Sequence, residues 1–358
     1  MPEEFFTTSS HPSVAMTTTD VEDVQTTVTS SSHGADFYFQ IAVVFIGVVG
    51  AAANALILYA MIVSKQHKKQ LLIFNQNVFD LCSCLLLALT YTLKLCNIRL
   101  TGTFGYWLCM IVITENLLWC STDGSVINLM IITVERYLKV VHPKWSKKWL
   151  RKWVRRSAMA FAWIAGVAYN MSMIIPTSTV INGVCVATVI WSSRAAALFH
   201  IIWYFVSFFV VPVFIFIFCY WHILSVIRRQ AKVMASHGGP RSSTAQTLQT
   251  NQIQSNVIKT MIIVSAFYVI AWMPIKIYYL ILIITSNLTF IESGYYAALF
   301  VAFFYVCANP FIYAIKFEPV KHVVMGLIPC KKSQQQAGGS TEMAGTGTSS
   351  SRSAHKRN

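Results

Sequence analysis

The ionisable residues inside apolar runs are the ones with chemistry to offer. Asp80, Glu115, Asp123, Glu135, Arg136 and Lys276 all stand in stretches made mainly of Leu, Ile, Val, Phe and Ala. A charge in such surroundings must be paired, hydrated in a cavity or used. Glu135 and Arg136 are adjacent and precede Tyr137 and a basic loop. The carboxylate can restrain the guanidinium until something else claims it. Lys276 lies four residues after Trp272 and three before Tyr279, so the three share a helical face, with the ammonium one turn outward of the indole. An ammonium at that depth costs roughly 2.5–3.5 kcal/mol on insertion scales unless it has a partner or a wet cavity. Two readings stand side by side. One is an internal ion pair, with Glu115 and Asp123 as candidate partners; the other is an anchor for a carboxylate or other anionic group of a ligand. Ser121, Ser125, Asn128 and Ile132 are spaced by 4, 3 and 4 and form one helical face, too polar for lipid. Asp123 is two residues from Ser125, about 200° around the helix, which turns it away if Ser125 faces inward. There is no nucleophile with a matching base, no phosphate loop and no metal-ligand cluster, which argues against an enzyme.

These residues need elements that carry them through an apolar medium. Hydrophobic residues make up 55% of the 358, charged ones only 11%, and the mean hydropathy is +0.56. A soluble core of this size would not require so much apolar surface. Apolar runs recur at 37–64, 71–95, 106–140, 154–175, 195–228, 253–284 and 292–315. The expectation is an all-α membrane protein with seven transmembrane helices. Met110 to Val140, 31 residues, would reach about 46 Å as a helix, beyond the ~30 Å hydrocarbon core, so the third span must tilt or protrude. Pro212, Pro274 and Pro310 fall inside spans, where each frees a carbonyl and kinks its helix, as a hinge or as a packing irregularity.

The net charge of +15 invites a nucleic-acid reading, but its distribution excludes one. Apart from Lys94, Arg99, Arg194 and Lys276, every Lys and Arg lies in 65–69, 136–156, 228–259 or 316–358. The positive-inside rule then places the N-terminus outside, and the basic loops face anionic membrane lipids. Residues 1–36 hold no Lys or Arg but carry Glu3, Glu4, Asp20, Glu22, Asp23 and Asp36 among many Ser and Thr, as a disordered extracellular tail does. Without a basic start or an early apolar run in that tail, the first span is expected to serve as the uncleaved signal. Residues 37–315 form the membrane domain, 316–330 an amphipathic juxtamembrane helix, and 331–358 a disordered cytoplasmic tail with Ser349, Ser350 and Ser351 as candidate phosphorylation sites. Cys330, before Lys331-Lys332, suits reversible palmitoylation. Asn287-Leu288-Thr289 is the exposed glycosylation candidate, since Asn170-Met171-Ser172 falls within the fourth span.

In chain order, a set of short motifs resembles the rhodopsin-like (class A) G-protein-coupled receptors. Glu135-Arg136-Tyr137 resembles the family's D/E-R-Y motif; Asn54, Asp80 and Trp163 resemble its first-, second- and fourth-span marker residues. Pro212 with Tyr220 resembles the fifth-span pair, Trp272-Met273-Pro274 the C-W-x-P motif without its cysteine, and Asn309-Pro310-Phe311-Ile312-Tyr313 the N-P-x-x-Y motif. The match covers residues 37 to 330. It implies a plasma-membrane receptor with a short eighth helix, in which an extracellular ligand shifts the bundle to a state that activates a heterotrimeric G protein. Arrestin and a receptor kinase are further implied partners.

The resemblance also implies a Cys109–Cys185 disulfide, and a meeting of Arg136, Tyr220 and Tyr313 when the inner helix ends separate. Asp80 and Ser125 match the sodium-ion positions, but Tyr305 and Val306 replace hydrogen-bonding residues of the seventh span, so a sodium site and a simply hydrogen-bonded aspartate both stay open. Leu118 stands where amine receptors hold an aspartate, and residues 292–315 lack the lysine that carries retinal. A peptide or small anionic ligand remains, with Lys276, Glu115, Leu118 and Tyr279 as the expected pocket residues. Two departures matter. Cys109 and Arg136 are 27 apart, more than the family shows, so a bulge or shifted start is expected in the upper third span. Gln254 replaces the acid that latches the arginine in many relatives. A transporter or channel is the alternative, against which stand the odd number of spans and the lack of an internal repeat.

Overall fold

A computed structural model describes residues 18–174, 178–187, 194–236, 245–285, 292–316 and 318–327. Six of its helices are long and apolar enough to cross a membrane: Gly34–Val63, Leu71–Leu95, Gly102–Val141, Leu198–Gln230, Ser255–Ile281 and Gly294–Lys316. A further helix, Lys152–Ile174, begins with Lys152, Arg155 and Arg156 and fills the fourth place by packing on the third span. The first span packs on the second and seventh, and the sixth packs on the seventh. The third, Asn116–Val141, touches the second, fourth, fifth and sixth. Every residue from Cys120 to Val126 is buried in consequence. The single inward face expected for Ser121, Ser125 and Asn128 is therefore too narrow a description. Asp123, expected to turn away, is as buried as Ser125 because this helix has protein on all sides.

Small residues bring the third and fourth spans into backbone contact, as in many membrane interfaces. A Cβ on Gly166 would come within 2.5 Å of the Cys120 carbonyl oxygen, and one on Gly124 within 2.6 Å of the Phe79 ring. That ring stacks on Trp163 at 3.8 Å between centroids.

The upper third span contains the expected bulge. A helix Gly102–Leu108 leads into a π turn Cys109–Ile113, and Glu115 takes a left-handed conformation, φ 66°, before the regular helix begins. Thr114 Oγ1 bonds to the carbonyls of Cys109 (3.0 Å) and Met110 (2.8 Å), and Asn116 Nδ2 to that of Met110 (2.6 Å). These side chains supply hydrogen bonds that the broken backbone ladder gives up. The fifth span also has a π turn, Val206–Val210, between Arg194–Phe205 and Val211–Ser236. It lies in the turn before Pro212, which offers no N–H, and Tyr268 OH donates to the Phe208 carbonyl.

At the end of the bundle that carries Cys109, Ser178–Ile181 and Val184–Ala187 form an antiparallel hairpin with Ile181 opposite Val184. Asn182 and Gly183 both have positive φ, 53° and 79°, the two-residue turn that Asn-Gly favours. Cys185 is disulfide-bonded to Cys109, as the resemblance implied, and Leu100 N donates to Gly183 O at 2.9 Å. The hairpin is thus tied to the top of the third span. At the chain's start the first helix runs Thr18–Val63, so 18–36 extend it, where a disordered tail was expected. Once the apolar span nucleates a helix, each added residue costs little to propagate it. Glu318–Leu327 forms a helix after the seventh span, with Val320 buried. Asn287, Cys330 and Ser349 to Ser351 lie outside the described residues.

Gly166→Ala is expected to cost about 1–3 kcal/mol through overpacking. Gly34→Ala, whose Cβ would meet nothing within 4 Å, is the neutral control. Thermal unfolding of both in detergent checks this, and equal melting of the two variants would refute the close contact.

Candidate functional site

Between the third, fourth, fifth and sixth spans is a cavity of about 250 Å³, walled by Trp119, Asn170, Tyr204, Trp272, Lys276 and Tyr279 among others. The sequence places Lys276 one turn outward of Trp272, and both are buried. Lys276 Nζ lies 3.9 Å from the Tyr204 ring centroid and 5.1 Å from that of Trp272. None of the ion pairs among the described residues includes it. Its electrostatic counterpart is Asp123, on the third-span face that carries Trp119 four residues earlier. The Asp123 oxygens already accept hydrogen bonds from Asn170 Nδ2 (2.9 Å) and Tyr204 OH (3.1 Å). Tyr204 therefore touches both charges, offering its hydroxyl to the acid and its ring face to the ammonium.

Of the expected pocket residues, Lys276 and Tyr279 come together here. Glu115 does not. Its left-handed backbone points it at the second span, where Lys94 Nζ is 2.5 Å away and Tyr91 OH 2.9 Å away. Leu118 is buried outside the cavity wall. Trp119, Tyr204 and Asn170 were missed as pocket residues. Asn170 was read only as a sequon set aside for lying within the fourth span, and the four-residue spacing of Trp119 and Asp123 was the signal that could have placed those two.

Deeper in the bundle, Asp80 Oδ1 accepts from Ser125 Oγ (3.3 Å) and Gln76 Nε2 (3.4 Å), and Oδ2 from Asn309 Nδ2 (3.0 Å). Asn54 Nδ2 turns back to the Gly50 carbonyl at 3.0 Å. Three spans are joined through one carboxylate.

At the end of the bundle away from Cys109, Glu135 and Arg136 are both buried, with Arg136 Nη2 3.4 Å from Glu135 Oε2 and 2.5 Å from Gln70 Oε1. Glu135 is shared with Lys139 at 2.8 Å and Arg155 at 3.9 Å. Tyr137 takes no part, bonding His142 at 3.2 Å. Tyr220 OH sits between Thr133 Oγ1 (3.1 Å) and Ser265 Oγ (3.0 Å), tying the third, fifth and sixth spans. Tyr313 is buried, with no hydrogen-bond partner for its hydroxyl among the described residues. No hydrogen bond among the described residues joins Arg136, Tyr220 and Tyr313 to one another. The Gln254 side chain is not among those described.

The sequence matches the 7 transmembrane receptor (rhodopsin family) over residues 53–313. The chain belongs to that family. The structure is also similar to the crystal structure of squid rhodopsin, with a TM-score of 0.67 over 87% of this chain and 93% of that one; at 17% identity the likeness is one of fold. This rhodopsin-family receptor is a multi-pass membrane protein, and membership in a receptor family takes the place of the transporter or channel alternative.

In the receptor, the shared carboxylate sets the size of a measurable effect. Glu135→Gln is expected to raise spontaneous nucleotide exchange on a G protein in vesicles about fivefold, the equivalent of ~1 kcal/mol, because Gln70 still holds the arginine. Arg136→Ala is expected to abolish exchange while surface expression persists. Full exchange by the alanine variant would dismiss Arg136 as the coupling residue.

Proposed function

We propose that this receptor sits in the plasma membrane with its N-terminus outside and responds to an extracellular ligand bearing a carboxylate, by activating a heterotrimeric G protein. Arrestin and a receptor kinase then act on the cytoplasmic face. The observation that carries this reading is the buried Lys276 ammonium on a cavity wall, held by aromatic faces while its nearest acid is engaged by two other donors. A cation–π contact contributes about 0.5–2 kcal/mol, less than a charge-assisted hydrogen bond in the same dry setting. An incoming carboxylate would therefore gain more from the lysine than the aromatic rings do.

A volume of about 250 Å³ lies at the small end for a ligand pocket, which favours a small organic acid or the C-terminal residue of a peptide. Tyr279, whose hydroxyl is 3.5 Å from that of Tyr295, stands beside the lysine as a polar neighbour. Signal transfer rests on Trp272, edge-on to Trp119 at 6.0 Å between centroids and two residues before the helix-interior Pro274. A ligand that binds better when these rings are rearranged shifts the population of the bundle, with no chemistry of its own.

A screen of small acids and peptides, read as nucleotide exchange, identifies the agonist. Lys276→Gln is then expected to weaken its potency at least about tenfold, as for a lost charge-assisted hydrogen bond of ~1.5–3 kcal/mol, while Lys276→Arg retains part of it. Unchanged potency on the glutamine variant would overturn the anion anchor.

A further inference from the structure

The family's sodium position requires oxygen ligands that converge on a cation between Asp80 and Ser125. Gln76 stands there. Its Nε2 is 2.5 Å from Ser125 Oγ and 3.4 Å from Asp80 Oδ1, so an N–H-bearing nitrogen points at the carboxylate from inside the span that carries it. Hard cations take oxygen donors, and an amide nitrogen turned toward them repels them.

We propose that the Gln76 side-chain amide takes the cation's place, so that this receptor holds Asp80 without sodium. The orientation of that amide follows from its neighbours. Trp163 Nε1–H can only donate, and it donates to Asn75 Oδ1 at 3.1 Å. Asn75 must then present Nδ2 to Asn128 Oδ1, at 3.0 Å. Asn128 in turn presents Nδ2 to Gln76 Oε1 at 2.8 Å and to the Leu72 carbonyl at 3.1 Å. With its oxygen so engaged, Gln76 has only its nitrogen left to face Asp80 and Ser125. A chain of three amides thus carries the polarity of one indole N–H across the second, third and fourth spans. Reversing Gln76 would set its oxygen against the carboxylate and two donors against each other at Asn128.

The remaining groups agree with this assignment. Asn309 Nδ2, a second N–H donor, occupies Asp80 Oδ2 at 3.0 Å, and the seventh-span positions Tyr305 and Val306 are both buried. Two buried amide oxygens in the same region, Asn54 Oδ1 and Asn309 Oδ1, have no partner among the described residues. They are neutral, belong to amides whose nitrogens are already used, and can be satisfied by a bridging water.

The test is thermal unfolding of the full-length receptor in nanodiscs, in sodium, potassium and N-methylglucamine chloride at equal ionic strength. The wild type is expected to melt at the same temperature in all three. Gln76→Leu keeps the volume but removes both donors, and is expected to gain a sodium-specific rise of about 2–4 °C that Asp80→Asn abolishes. Trp163→Phe keeps a ring against Phe79 and frees the amides to turn over, so a smaller rise is expected there. A sodium-specific rise in the wild type that Asp80→Asn removes would overturn the proposal. So would the absence of any sodium response in whichever of the Gln76 and Trp163 variants fold.

Discussion

A polar group carried into hydrocarbon has no water to return to, and that constraint orders the interior of this receptor. Each acid on or near the third span has recruited donors from a neighbour: Glu115 from the second span, Asp123 from the fourth and fifth, Glu135 from the fourth and from its own helix. Because each set of partners comes from a different direction, the third span is pinned on every side. The burial of its middle from Cys120 to Val126, the backbone contact at Gly166 and the tied hairpin at its outer end are aspects of one arrangement. Lys276 stands apart, since its contacts are with rings.

The partners are mostly amides and hydroxyls. A carboxylate satisfied by Asn, Gln, Ser and Tyr keeps its place whichever way a nearby cation moves. Toward the two ends of the third span the pairing is ionic instead: Glu115 binds Lys94, and Glu135 is shared by three basic side chains. Asp80 and Asp123 therefore act as fixed joints, and the two ion-paired carboxylates as movable ones. The separation suits a bundle whose core must persist while its inner ends part.

Much of this was legible in the sequence. The seven apolar runs and the ordered motifs each follow from residue types at fixed spacings, and the surplus between Cys109 and Arg136 announced a bulge. Partner choice was harder to read. Glu115 was a candidate partner for Lys276 and an expected pocket residue, but its left-handed φ redirects it to Lys94. Asp123 was set aside by angular reckoning that presumes one buried face, which fails for a helix surrounded on all sides. The outer hairpin had its signal in Asn182-Gly183 between β-branched residues, where only a loop was expected.

The π turn and the left-handed Glu115 also act on helical phase. Each residue advances an α-helix by about 100°, so surplus residues inserted without compensation would rotate everything beyond them by a large part of a turn. Here the irregular turns lie between Cys109 and Asn116, and the helix below runs without a break past Arg136. Below Asn116 a regular step relates each position to the next. Above it the same bookkeeping selects the wrong side of the helix, so the outer mouth of this receptor can diverge in what it admits while the machinery beneath stays in step.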